Sequence, residues 1–192
     1  MAELLRTHPL EAWSTAFARL PESVGITVEP FVAMVDVRIN TVGTEAYERL
    51  GVELPKVPNT WLPTDAGRAV WLGPDEWLLT STAEAPEELE ARVRAAVVPL
   101  GGSAADVSAQ RITLRLTGKR VRDVLARGCA IDLHPRVFGR GRSAQSTLGL
   151  AGVVLLALGD AGEDYLVLVR SSFAGYLADW LLDAALEFTA AP

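Results

Sequence analysis

From Phe31 onward the chain writes one order of elements twice, and few folds accommodate that repetition. Phe31, Ala33, Val35, Val37 and Ile39 alternate with Val32, Met34, Asp36 and Arg38 at the two-residue period of a strand with one core face. A short helix over 45–50 exits through Gly51, and "VELPKVPNTWLP" holds too many prolines for regular structure and reads as a connecting loop. "RAVWLG" and "EWLLTS" are β-prone runs joined as a hairpin at Pro74-Asp75. Pro86 then opens a helix with acids in its first turn and an apolar stripe of Leu89, Val93, Ala96 and Val97. After "GGSAADVSAQ" the order resumes, with Ile112, Leu114 and Leu116 on one strand face and Thr113, Arg115 and Thr117 on the other. A helix from Lys119 to Arg127 stops at Gly128. Two strands between Gln145 and Leu158 split near Gly152, and a third covers Tyr165 to Arg170. Phe173, Tyr176, Leu177, Trp180, Leu181, Ala184 and Phe188 make a final helical stripe.

A doubled strand, helix, hairpin, helix order is a loose split repeat. It predicts an α+β fold of two subdomains with mainly antiparallel sheets and packed helices. The expected division is a poorly ordered leader over 1–24, a first subdomain over 25–102 and a second over 103–192, with the hinge near 101–105. At 192 residues and 49% hydrophobic content the chain has ample material for a core.

Charge and cysteine content narrow the function. Eighteen basic against 24 acidic residues give a formal charge of -6, so no general basic field draws the protein to nucleic acid or anionic lipid. The longest apolar run, Leu148 to Leu158, has 11 residues, against about 20 for a membrane helix. One cysteine, Cys129, excludes an intrachain disulfide and a multi-thiolate zinc site, in keeping with a reducing, cytoplasmic setting.

The candidates for chemistry are few. "WLGPDEWLL" places Asp75 and Glu76 between two tryptophans, the composition of an acid-base pair with raised pKa values. Adjacent strand residues point to opposite faces, however, and Gly73, Pro74 and Asp75 read better as a structural turn. Pro74 fixes φ near -65°, which excludes the mirror-image hairpin turns and predicts a type I turn with a bulge. Cys129 follows a helix C-terminus, the wrong pole for a thiolate, and reads as a buried, inert thiol. His134 precedes Pro135 and reads as a loop residue. Lys119, Arg120, Arg122, Arg127, Arg136, Arg140 and Arg142 concentrate positive charge on an acidic chain, as a solvated face, a partner-docking surface or a small-anion site. No nucleotide, metal or hydrolase motif is written. The residues alone describe a non-catalytic subunit or binding module better than a free-standing enzyme.

Three ordered blocks carry a resemblance. They are "VWLGPDEWLL", the L-x-G-x-x-x-x-x-x-L-x-x-G-C-x-x-D-L segment from Leu116 to Leu133, and the V-R-x-S-F-A-x-Y-L-x-x-W-L segment from Val169 to Leu181. Together, between Thr27 and Phe188, they resemble the gamma subunit of bacterial heterotetrameric sarcosine oxidase, related to the folate-binding domain of the glycine-cleavage T-protein. The resemblance implies a complex that oxidises sarcosine with oxygen and water to glycine, hydrogen peroxide and formaldehyde or 5,10-methylenetetrahydrofolate. It implies no cofactor and no catalytic or metal residue in this chain. FAD, FMN, NAD, tetrahydrofolate and zinc are expected in partner subunits. Gamma is expected to pack chiefly on the folate-domain part of alpha, with beta and delta in the same complex, and an apolar patch left exposed on the chain would mark the contact. The alternative is a stand-alone folate-binding or one-carbon-transfer protein. The iron–sulfur-cluster repair relative is disfavoured, because its K-G-C-Y-x-G-Q-E box is met here by Arg127-Gly128-Cys129-Ala130-Ile131-Asp132-Leu133.

Overall fold

The computed structural model describes residues 7–40 and 44–189. Ten strands form two antiparallel sheets of five. In chain order they are β1 (Gly25–Val28), β2 (Ala33–Arg38), β3 (Trp61–Thr64), β4 (Gly67–Gly73), β5 (Glu76–Ser81), β6 (Ser103–Asp106), β7 (Arg111–Thr117), β8 (Ser143–Leu148), β9 (Ala151–Ala157) and β10 (Asp164–Arg170). The helices are α1 (Ser14–Phe17), α2 (Thr44–Leu50), α3 (Pro86–Val97), α4 (Val121–Ala126) and α5 (Ala174–Thr189). One sheet has the order β3-β4-β5-β2-β6 and the other β1-β7-β10-β9-β8.

Alternation along the strands builds four layers. Val35, Val37, Trp77 and Leu79 turn one face of the first sheet onto Leu50 of α2 and Leu89, Val93 and Val97 of α3. Leu114, Leu116, Val167 and Val169 turn the outer face of the second sheet onto Val124 and Leu125 of α4 and Leu177 and Leu181 of α5. The faces left over stack on each other, with Met34, Trp61, Val70, Leu72 and Leu78 against Val154, Leu156, Leu166 and Leu168. A large apolar side chain contributes roughly 1.5–3 kcal/mol when fully buried. All nine are buried in one cluster, so the sheet-on-sheet layer is a hydrophobic core shared by both sheets.

The sheets do not divide the chain where the sequence halves do. β1 pairs with β7, Gly25 opposite Thr117 through Val28 opposite Leu114. β6 pairs with β2, Val35 opposite Asp106 through Arg38 opposite Ser103. The hinge expected near 101–105 is therefore mostly strand: Gly101, at φ 79°, ends the preceding helical turn and β6 starts two residues later.

The leader is also different from expectation. Residues 1–6 lie outside the described residues, but the segment after them is anchored, with Leu10, Phe17 and Val24 buried in the outer core of the second sheet. Trp13 Nε1 donates to Asp179 Oδ1 at 2.7 Å and ties this segment to α5. Two further boundaries move. β3 begins inside the stretch read as loop, and Pro63 fits there because β3 is an edge strand of its sheet, met on its outer side at its start, where the Trp61 N–H donates to the Gly141 carbonyl. The β8–β9 hairpin turns at Gly149 and Leu150, with Gly149 at φ 59°, rather than near Gly152.

Candidate docking surface

The "WLGPDEWLL" stretch is the β4–β5 hairpin, its two connecting residues Pro74 and Asp75. The register slips between Trp71 opposite Trp77 and Gly73 opposite Glu76, so Leu72 is the extra residue of a bulge. Neither Pro74 nor Asp75 has a positive φ, as a type I turn requires. Trp77 is buried and donates from Nε1 to the Pro55 carbonyl at 2.8 Å.

The carboxylates that do meet are Asp36 and Glu76, not Asp75 and Glu76. Asp36 sits opposite Leu78 and Arg38 opposite Glu76, which puts Asp36 and Glu76 diagonally on one face. Burial, and next the neighbouring Asp36 carboxylate, push the Glu76 carboxyl above its ordinary range, while Arg38 opposes the shift. Sequence spacing gave no sign of this pair, because 40 residues separate its members and only the β2–β5 register joins them.

The seven cations fall into different surroundings. Arg120 and Arg127 both lie 5.8 Å over the Phe188 ring, Arg120 paired with Asp123 at 3.1 Å and Arg127 with Glu187. Arg122 runs beside Pro135 near Gly162. Arg136 donates its backbone N–H to His134 Nδ1, which fixes a turn. Arg142 is bridged through its backbone to Thr60, beside β3. Lys119 and Arg140 are exposed, and among the described residues neither has a carboxylate at salt-bridge distance. Cys129 is buried with its sulfur 3.9 Å from Ser146 Oγ. Among the described residues no group of three or more His, Cys, Asp or Glu side chains is placed to hold a metal ion.

A tight node joins the Gly128-Cys129 segment to α5. A methyl group on Gly128 would stand 2.5 Å from the Trp180 ring and 2.8 Å from Gly149 N, so glycine is needed here for close approach. Gly128 does follow the end of α4, but without a positive φ, and the helix closes on right-handed Arg127. The Gly149 N–H donates to the Gly128 carbonyl, and the Leu150 N–H donates to Tyr176 Oη at 2.9 Å.

Above this node the molecule leaves apolar surface uncovered. Leu150 is 80% exposed, Phe173 41% and Tyr176 38%, with Phe173 edge-on to Tyr176 at 6.4 Å. Both aromatics belong to the helical stripe read from the sequence, but α5 buries only Ala174, Leu177, Ala178, Leu181, Ala184 and Ala185. Beside them a groove of about 290 Å³ is floored by Val154 and Leu168 and walled by Arg111, Arg170, Gln145 and Phe173.

Comparison with known proteins agrees with this architecture. The model of the "Sarcosine oxidase, gamma subunit family" matches residues 36–187. The chain belongs to that family. The sarcosine oxidase gamma subunit of Corynebacterium sp. (strain P-1) is 35% identical over 171 residues, 88% of this chain and 78% of the relative. That of Arthrobacter sp. is 33% identical over 192 residues, 96% of this chain and 92% of the relative. A chain of the solved heterotetrameric sarcosine oxidase from Corynebacterium sp. U-96, in complex with pyrrole 2-carboxylate, superposes with a TM-score of 0.85 at 31% identity. The match covers 97% of this family member and 98% of that chain. Aminomethyltransferase T of the glycine cleavage system of Bartonella henselae shares the fold, with a TM-score of 0.56 at 16% identity, over 88% of this chain and 48% of that one. Among the described residues no helix is long and apolar enough to cross a membrane.

Proposed function

We propose that this chain is the non-catalytic gamma subunit of a heterotetrameric sarcosine oxidase, held chiefly on the folate-domain part of the alpha subunit, with beta and delta completing the assembly. The observation that carries the reading is the end-to-end match, at a TM-score of 0.85, to a chain of an assembled heterotetrameric sarcosine oxidase. In this reading FAD, FMN, NAD, tetrahydrofolate and zinc belong to the partner subunits, and the complex works in the cytoplasm. The chain's part is structural. Its four layers present a preformed surface, and the uncovered Leu150, Phe173 and Tyr176 supply the apolar area that an obligate partner would cover.

The test is co-expression with the alpha, beta and delta subunits. Purification through a tag on alpha is expected to bring this chain down in constant proportion and to yield active oxidase. A fully active, equally stable oxidase recovered without it would overturn the structural role. The likeness to aminomethyltransferase T carries the fold and no ligand, so it gives no support to a stand-alone folate-binding protein. Titration of the isolated chain with tetrahydrofolate is expected to show no saturable binding.

A further inference from the structure

Arg111 and Arg170 stand directly opposite each other where β7 and β10 meet. Like charges in that position repel, and neither has a carboxylate within salt-bridge distance among the described residues. Asp36 and Glu76, on the facing sheet, act on Arg111 at longer range, yet both are already engaged by Arg38, at 3.9 and 2.8 Å. Burial and the charge of Arg170 push the Arg111 guanidinium below its ordinary value, so the pair is held at a cost within the free chain. Both arginines line the same groove as Gln145, and among the described residues no carboxylate lines it. Phe173 lines it too and continues through Tyr176 to Leu150. Two unneutralised guanidiniums bordered by exposed apolar side chains match one kind of occupant. It is a strand or loop whose carboxylates sit next to large apolar residues.

We propose that the face formed by Arg111, Arg170, Phe173, Tyr176 and Leu150 is the docking surface for an acidic, apolar-flanked segment of another subunit. The proposal rests on the reading of the chain as a subunit of a complex, and it names the contact which that reading leaves open. It puts the contact on the β7–β10 end and the start of α5, away from the exposed cations Lys119 and Arg140.

Full-length chain co-produced with its partner subunits provides the test. Arg170→Glu and Leu150→Asp both alter exposed side chains, so each variant is expected to keep the wild-type circular dichroism spectrum and to melt no lower than wild type, with Arg170→Glu gaining from the lost repulsion of Arg111. Each is expected to reduce recovered complex about tenfold or more, because charge reversal or a buried carboxylate opposes an acidic, apolar partner. Arg170→Lys retains most of the assembly, and Lys119→Glu and Arg140→Glu leave it unchanged. Wild-type assembly that weakens with added salt, and a smaller salt dependence in Arg170→Gln, would identify the charge contact itself. Folded Arg170→Glu and Leu150→Asp variants that assemble like wild type would overturn the proposal, and so would dissociation caused by the Lys119 or Arg140 variant alone. A dimer of the isolated chain abolished by Leu150→Asp would make a second copy the occupant and equally overturn it. In those three outcomes the subunit reading stands. Failure of the wild-type chain to join any partner subunit would overturn the subunit reading and the proposal with it.

Discussion

Arg38 reaches three carboxylates, Asp36 and Asp75 at 3.9 Å and Glu76 at 2.8 Å. One guanidinium cannot neutralise three acids, and Glu76, pressed by burial and by Asp36, holds its proton more tightly in the folded state than in the unfolded one. For an acid raised in this way the sign is unfavourable. The folded state binds more protons, so this site costs stability as pH rises from the ordinary glutamate range, about 4.3, through the raised value. Glu76→Gln removes that cost. Its melting temperature is expected to gain on wild type as pH rises from about 4.3 through the raised value, and to keep that gain above it. Parallel melting curves for the two proteins across that range would disprove the assignment. At this scale the sequence was only half legible. Pro74 and Asp75 announced their turn through local backbone chemistry, whereas Asp36 and Glu76 became neighbours through strand register, which no local spacing encodes.

The elements that escaped sequence reading are β1, β3 and β6, each four residues long and each at the edge of a sheet. Four residues hold too few alternations to display a period, and edge strands tolerate polar or proline positions that a central strand rejects. The longer strands carried a signal that was there to be used. "VVLLAL" and "YLVLV" are nearly continuous apolar runs, the pattern of strands covered on both faces, and β9 and β10 are buried on both. α5 shows the opposite case. Its apolar stripe is wider than the core it meets, and the surplus, Tyr176 together with Phe173 in the turn just before the helix, lies open. At the N-terminus, local sequence gave no hint that the leader is a structural element. Leu10 decides that point, being fully buried. Leu10→Ala is expected to cost about 2–5 kcal/mol in denaturant unfolding, the range for emptying a core leucine site. A change near zero would return the leader to the status of an appendage.

At the scale of the molecule, the doubled order of elements was legible from Phe31 onward and the strand exchange was not. The sequence repeats in two blocks, but each finished sheet borrows one strand across the block boundary. Fragments 1–102 and 103–192 each lack a strand of their own sheet and both expose the apolar face that stacks between sheets. Neither fragment alone is expected to unfold cooperatively, and co-expression of the two is expected to restore the transition. Two separate cooperative melts would show instead that the blocks are independent. The exchange also sets a timetable for synthesis. A ribosome delivers β2 to β5 well before β6, so the first sheet waits with an open edge at β2 until residue 106 has emerged, while β1 waits for β7, some 90 positions downstream. Pairing of the two exchanged strands is thus delayed past the middle of translation, and a nascent chain stalled near its midpoint would present unpaired backbone to any neighbouring polypeptide.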